Sequence, residues 1–499
     1  MKDVVVGIDA STTAVKTIAF SSQGKALHEV RRAYPLSMPK PGYAEQNAAD
    51  WWKALAEALQ ELTAHIDPHK IASLAISHQR ETFTLLDESC SPIIPAILWL
   101  DERARREVAE LSGKLGREHI RDISGKPPDP TPALYAIAWL NRHQPEIIKN
   151  AYCLSDVSAY LHHHLTGNLA CSLASADPLG LVNLKNGEWD MELAQAAGLR
   201  MDQLPKLVKP GAFIGGISPT ASASTGLLPG THVYAGAGDG QATGLGLGVT
   251  SEGRTYLSLG SGIVSGMFAP TYKSSDAFRT LSAPSGEGYM LETVLRSGMQ
   301  LVEWVLRTTK SESTISLEME ASKLQPGSDG LMILPYFSGV MSPYWDETAR
   351  GGIIGLSLGH TPAHLYRAAI EGIAFEQAIA TAAMEASIKL QAGSIIACGG
   401  GTNSKLLMTI LSTVVGREIA ISPVKEAAAL GAAILAAVGA GLFENATAAA
   451  ATMCSPVTDK FHPDSELAEA YKPLKEIYSG IYAALKPLHQ ALHRIEISR

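Results

Sequence analysis

Residues 4–8 (VVVGI) are apolar and β-branched, residues 9–13 (DASTT) small and polar, and residues 14–20 mostly apolar again. That pattern predicts strand, loop and strand, closed by the polar turn at 21–24. Over 43–62, Trp51, Trp52, Leu55 and Leu59 recur at helical spacing and predict a helix. Residues 71–76 read as a short buried strand delivering the polar cluster Ser77, His78, Gln79, Arg80 and Glu81. Strands and helices alternate onward, the pattern of an α/β chain. Near residue 253 the pattern restarts, with a strand over 255–259, the small turn Gly260, Ser261, Gly262, and a second strand over 263–267. One strand–loop–strand per half predicts a duplicated domain with its boundary in the Gly-rich stretch 246–252. The predicted units are 1–248 and 249–485.

Length agrees with that division, since 499 residues exceed what one compact core holds. With 46% hydrophobic and 18% charged residues the chain is an ordinary globular one, not a disordered one. The formal charge of −8 gives no global pull on nucleic acid or an anionic membrane. Five widely spaced cysteines include no CxxC and suggest reduced thiols in the cytoplasm. The apolar run 427–443 is rich in Ala and Gly, which predicts a buried helix in close backbone contact rather than a membrane span. The tail from 464 reads as an amphipathic helix. It either packs on its own domain or makes a homodimer contact, and nothing in it selects between them.

Four segments carry candidate chemistry. In the loop 9–13 a strand-end carboxylate, Asp9, precedes the hydroxyls and amides of Ser11, Thr12 and Thr13, a set suited to an Mg²⁺-bound nucleotide, with Lys16 adding charge near the phosphates. Taken alone, a solvated hairpin turn explains it as well. Asp239 stands among glycines after a strand, where its carboxylate can accept a hydroxyl proton during phosphoryl transfer, or cap the next helix, or both. Gly399, Gly400 and Gly401, followed by Asn403, let a flat ring such as adenine lie on bare backbone, though an ordinary strand-to-helix turn looks the same. Gln79, Arg80 and Glu81, with Asp101, combine donors and acceptors for vicinal hydroxyls, against the bland alternative of a surface ion pair. No GxxxxGK[ST] occurs.

Together these segments resemble the FGGY family of carbohydrate kinases over nearly the whole chain. The most specific match runs from Gly351, Ile353, Gly355 and Leu356 to His364, Leu365, Ala368, Ala369, Ile370 and Glu371, preceded by 334–339 (LPYFSG). The resemblance implies an α/β fold of two actin-like, ribonuclease H-like domains with the active site in the cleft between them. It implies ATP and Mg²⁺, phosphate loops at 9–13 and 260–262, an adenine loop at 399–403, and Asp239 as catalytic base and, with Asp9, metal ligand. Two departures stand out: Ser11 replaces the glycine usual in the first loop, and Ala136 replaces a usual lysine. The expected substrate is a small sugar or polyol. Gln79, Arg80, Glu81 and Thr82 match the glycerol kinase motif, whereas Gly240 intervening before Gln241 and the segment 96–101 favour a ketopentose of the xylulose type. The expectation is a roomier pocket at Gly240, with Gln241 also reaching the substrate. A non-catalytic actin-like ATP-binding or sugar-sensing module is the alternative of another class.

Overall fold

The computed structural model describes residues 2–497. Two sheets organise it, and they share one strand order. In the N-terminal sheet Val4–Ala10 pairs antiparallel with Ala14–Ser21, which pairs antiparallel with Ala26–Ala33. On its other side Val4–Ala10 runs parallel to Ile71–His78, and that strand parallel to His232–Gly238. In the C-terminal sheet Thr255–Leu259, Ile263–Ala269 and Tyr289–Leu295 repeat the antiparallel trio, and Ile395–Cys398 and Ile419–Ile421 the parallel pair. An antiparallel strand closes the parallel side of each sheet, Phe213–Gly216 in one and Lys460–Phe461 in the other. The central strands read as continuous buried runs because both faces are covered. This is the twice-repeated mixed α/β architecture.

The apolar run that begins at 427 folds as the helix Ala427–Gly439, and most of it is buried. It lies between the halves, against the first strand and against the helix Asp239–Gly246. Small residues make this approach possible: a Cβ at Gly431 would overlap the Ala242 carbonyl oxygen, and one at Gly246 the Ala427 carbonyl oxygen. Its apolarity therefore reflects its place in the seam. Among the described residues no helix is long and apolar enough to cross a membrane.

The helix predicted from residue 43 begins later, at Ala48–His65, because Asn47 caps it by accepting from the Ala49 N–H. Glu45–Gln46 before it is a short strand. The tail is one helix, Ser465–Ile497, moored on the C-terminal half by three tyrosines. Tyr471 donates to Glu371 at 2.9 Å, Tyr478 to Glu376 at 2.9 Å and Tyr482 to Asp346 at 2.8 Å. Burial pushes the Glu376 carboxyl up to about 7, while the hydroxyls of Tyr336 and Tyr478 pull the other way.

Candidate active site

Parallel pairing brings three strand ends together. Asp9 aligns with Ser77, and Ser77 with Ala237, so Asp9, the 77–81 cluster and Asp239 leave the sheet at one edge. Carboxyl ends of parallel strands are where open α/β sheets bind ligands. Ser77 Oγ donates to Asp9 Oδ1 at 3.2 Å. Burial first, and the charge of Asp239 second, push the Asp9 carboxyl up from 3.8 to about 7. Asp239 opens its helix and is half exposed; its Oδ1 accepts from the Gly240 N–H at 2.7 Å and pairs with Arg80 Nε at 3.0 Å.

Arg80 and Glu81 are buried, which removes the surface ion-pair reading, but they do not pair with each other. Each is held from the other half. Glu292 Oε2 accepts from Arg80 Nη1 at 3.0 Å and from the Tyr256 hydroxyl at 3.0 Å, while Glu292 Oε1 accepts from Arg279 Nε at 2.7 Å. Arg279 Nη1 in turn reaches Glu81 Oε1 at 2.8 Å. Burial alone would raise the Glu292 carboxyl; Arg279 and Arg80 outweigh it and hold it at about 2. Glu81 goes the other way, raised by burial despite Arg279 and Arg80. Its φ of 59° is left-handed, an uncommon conformation for a residue with a Cβ.

The space expected at Gly240 is already filled. A Cβ there would lie 2.8 Å from Arg80 Cζ and 2.8 Å from Glu292 Oε2, so the glycine admits the ion network rather than a larger substrate. Gln241 is buried, with Nε2 toward Asp177 Oδ2 at 3.4 Å and the Ser282 carbonyl at 3.3 Å. Asp177 also holds Lys126 at 3.1 Å. Gln79 donates through Nε2 to Gln46 Oε1 at 3.0 Å. Asp101, expected to accept from the substrate, has both oxygens engaged. Oδ1 takes the Arg103 N–H and Nε, and Oδ2 the Ala44 N–H and Arg103 Nη2, so it braces the 43–46 segment.

In the first loop the Ser11 N–H, expected to face phosphate, donates to the Ala14 carbonyl at 2.9 Å, and its Oγ does the same. Thr12 Oγ1 accepts from Trp99 Nε1 at 3.0 Å, and Thr13 is exposed. Lys16 reaches Glu426 Oε2 at 2.5 Å across the seam. In the other half Ser258 aligns with Cys398, so Gly260, Ser261 and Gly262 and the triplet from Gly399 leave the second sheet at one edge. Gly399 has φ +93°, and a Cβ on it would sit 2.7 Å from the Leu259 carbonyl oxygen. Gly400 has open space where a Cβ would stand. The turn Gly400–Asn403 then leads to Ser404, whose side chain caps the helix Lys405–Val415. A cavity of about 330 Å³, lined by Ser297, Gln300, Trp304, Arg307 and Phe337, opens against the helix Met299–Thr309, whose Met299 N–H donates to the Gly260 carbonyl at 3.0 Å.

Sequence reasoning missed Lys126, Asp177, Tyr256, Arg279 and Glu292. One signal was available: Glu292 is the lone charge in the mostly apolar strand Tyr289–Leu295 (YMLETVL), and such a charge needs a partner.

This arrangement is a two-sided candidate site, with carboxylates on one half and glycine loops on the other, of the kind that suits phosphoryl transfer. Residues 4–246 match the N-terminal domain, and residues 255–440 the C-terminal domain, of the FGGY family of carbohydrate kinases. The chain belongs to that family; it is a carbohydrate kinase that uses ATP as phosphate donor and a sugar or polyol as acceptor. It is 29% identical to a xylulose kinase of Bacillus subtilis, with 98% of each chain covered, and 25% identical to a gluconokinase of the same organism, with 97% of each covered. Among solved structures, the ligand-bound xylulose kinase of Lactobacillus acidophilus superposes with a TM-score of 0.93 at 26% identity, covering 98% of this chain and 99% of that one.

Proposed function

We propose that the chain transfers the γ-phosphoryl group of ATP to a terminal hydroxyl of a small ketose, a ketopentose of the xylulose type, in the cleft between its two halves. The meeting of Asp9, Arg80, Glu81 and Asp239 at one sheet edge carries this reading. Full-length similarity to several xylulose kinases supports the acceptor class.

Asp239 accepts the proton of the acceptor hydroxyl as that oxygen attacks the phosphorus. Arg80 fixes the carboxylate through Oδ1, which leaves Oδ2 to face the acceptor. The amides of 260–262 and the loop at Thr12 and Thr13 receive the phosphates, and the adenine lies along Gly399, Gly400, Gly401 and Asn403. Asp9 and Asp239 fit a divalent cation, because a positive charge between them would offset the burial and, after it, the Asp239 charge that raise Asp9. Among the described residues no group of three or more His, Cys, Asp or Glu is placed to hold a metal, in keeping with Mg²⁺ bound largely through phosphates and water. When bound, Mg²⁺ neutralises charge on the transferring phosphoryl group and the leaving diphosphate. Closure of the halves excludes water. We place this activity in the cytoplasm, where ATP is supplied.

The run Gln79, Arg80, Glu81, Thr82 favours a second reading, a glycerol- or erythritol-type polyol. A coupled ADP assay over xylulose, ribulose, ribitol, erythritol and glycerol decides between them, with xylulose expected to give the highest kcat/KM. ADP formation that ignores every acceptor would sink the proposal.

A further inference from the structure

The proton acceptor and one phosphate loop stand on different halves, Asp239 on the first and residues 260–262 on the second. In-line transfer tolerates little error in the gap between them, since reacting atoms must approach to about 3–3.5 Å. The Glu292 network sets one side of that gap, because Glu292 holds Arg80 and Arg80 holds Asp239. The other side is set by a residue with no part in the steps above.

Arg296 directly follows the strand Tyr289–Leu295. Its backbone backs the phosphate loop: a Cβ on Gly262 would lie 3.2 Å from the Arg296 carbonyl oxygen. The turn after it grips the same loop, with the Met299 N–H on the Gly260 carbonyl at 3.0 Å and the Gln300 N–H on the Ser261 carbonyl at 3.4 Å. The Arg296 side chain then crosses to the other half. Nη2 reaches both oxygens of Asp129, each at 2.9 Å, and Thr131 Oγ1 at 3.1 Å, while Nη1 donates to the Ser338 carbonyl at 3.3 Å. Asp129 is a prepared partner. It is buried, and its Oδ1 accepts from the Thr131 N–H at 2.9 Å and from the Thr131 hydroxyl.

The segment that carries Asp129 has a second attachment. Lys126 pairs with Asp177 Oδ1 at 3.1 Å, and Asp177 Oδ2 faces Nε2 of Gln241, two residues after Asp239, at 3.4 Å. Residues 126–131 therefore reach the helix of Asp239 at one end and the phosphate loop at the other. The Arg296 side chain is 17% exposed, against 6% for Arg80 and 7% for Arg279. It lies nearer the surface than the Glu292 network, so its removal would loosen the loop while that network still holds the halves.

We infer that Arg296 is a positioning residue for the transfer: its clasp on Asp129 and Thr131 fixes the second phosphate loop at reacting distance from Asp239. This rests on the phosphoryl-transfer reading above and holds for whichever sugar is the acceptor. Arg296→Gln, Asp129→Asn and the double variant are compared with the wild type in the coupled ADP assay, using the best wild-type acceptor. Calorimetry gives the Kd for Mg²⁺-ATP without acceptor. Each single variant should lose about 10- to 100-fold in kcat, with acceptor KM and nucleotide Kd changed less than about threefold. The double variant should lose no more than the worse single one, because both changes open the same clasp. Arg296→Lys keeps the charge but not the planar fork and should recover part of the loss. A kcat within about twofold of wild type in either single variant overturns the inference, even where the unfolding midpoint falls, and so do losses that multiply in the double variant. If Arg296→Gln does not fold, Asp129→Asn and Arg296→Lys are read in the same way. If the wild type phosphorylates no acceptor, the transfer reading has failed instead, and hydrogen exchange reads the clasp. Faster exchange over 258–264 in Arg296→Gln, with the strand 4–10 unchanged, upholds it; equal exchange over 258–264 overturns it.

Discussion

The two halves repeat one strand order but spend it on different chemistry. In the N-terminal half the edge where the parallel strands end carries two carboxylates, Asp9 and Asp239. The same edge of the C-terminal half carries bare backbone at Gly260, Gly262 and Gly399 to Gly401. The ladder makes the contrast specific: counting back from the last pair of each hairpin, the place of Asp9 is taken by Ser258. The strand order thus supplies the geometry twice, and on the mechanism proposed above the side chains divide the work: proton and cation handling fall to the N-terminal edge, adenine seating to the C-terminal one, and the phosphates lie between loops of both.

The largest effect should follow from breaking the acidic side. Asp239→Asn is expected to lower kcat by about 10²–10⁴ with little change in unfolding midpoint, measured by coupled assay and urea titration. An unchanged kcat would remove the assigned division of labour. Next, Gly431→Val forces a branched side chain into the seam against the Ala242 carbonyl and should cost about 3 kcal/mol in urea unfolding. Full stability in that variant would show that the halves do not depend on their close helix contact.

A pH experiment sharpens the comparison further. Asp9 and Glu376 are both pushed to about 7, by burial plus a neighbouring carboxylate in the first case and by burial in the second. Each folded carboxyl holds its proton more tightly than the unfolded chain does, so each contribution is full at low pH and is lost as pH rises through about 7. Asp9→Asn should flatten the fall in stability between about pH 4 and pH 8 by on the order of 2 kcal/mol. Saturating Mg²⁺-ATP should mimic it, while leaving the slope due to Glu376. A nucleotide that leaves the whole slope in place would break the link between Asp9 and the cation. Smallest of all, Glu426→Gln removes the partner of Lys16; both side chains are about a quarter exposed, at 27% and 24%, so calorimetry should register less than about 1 kcal/mol.

Much of this was legible in the sequence, for local reasons. The strands at 4–8 and 255–259 and the glycine turns are written in neighbouring residues, and so were found, although the first strand runs on to Ala10 through positions read as loop. Residues 43–46 were misread because the helical spacing of Trp51, Leu55 and Leu59 was run backward past Asn47, which stops it. The ion network was not legible: Arg80 and Glu292 are 212 positions apart, Glu81 and Arg279 198, and no local pattern joins them. For the same reason Gly240 suggested empty space, when Arg80, 160 positions away, and Glu292 from the other half fill it.

The mooring of the last helix has a consequence of another kind. Glu371 closes the segment that most firmly marks the family, yet it is no reagent: it holds Arg367 at 2.8 Å, the Gly327 N–H at 3.1 Å and the Tyr471 hydroxyl. That hallmark is an anchorage. It advertises how the chain is fastened and stays silent on what the chain consumes, so two kinases with unlike diets can wear the same badge.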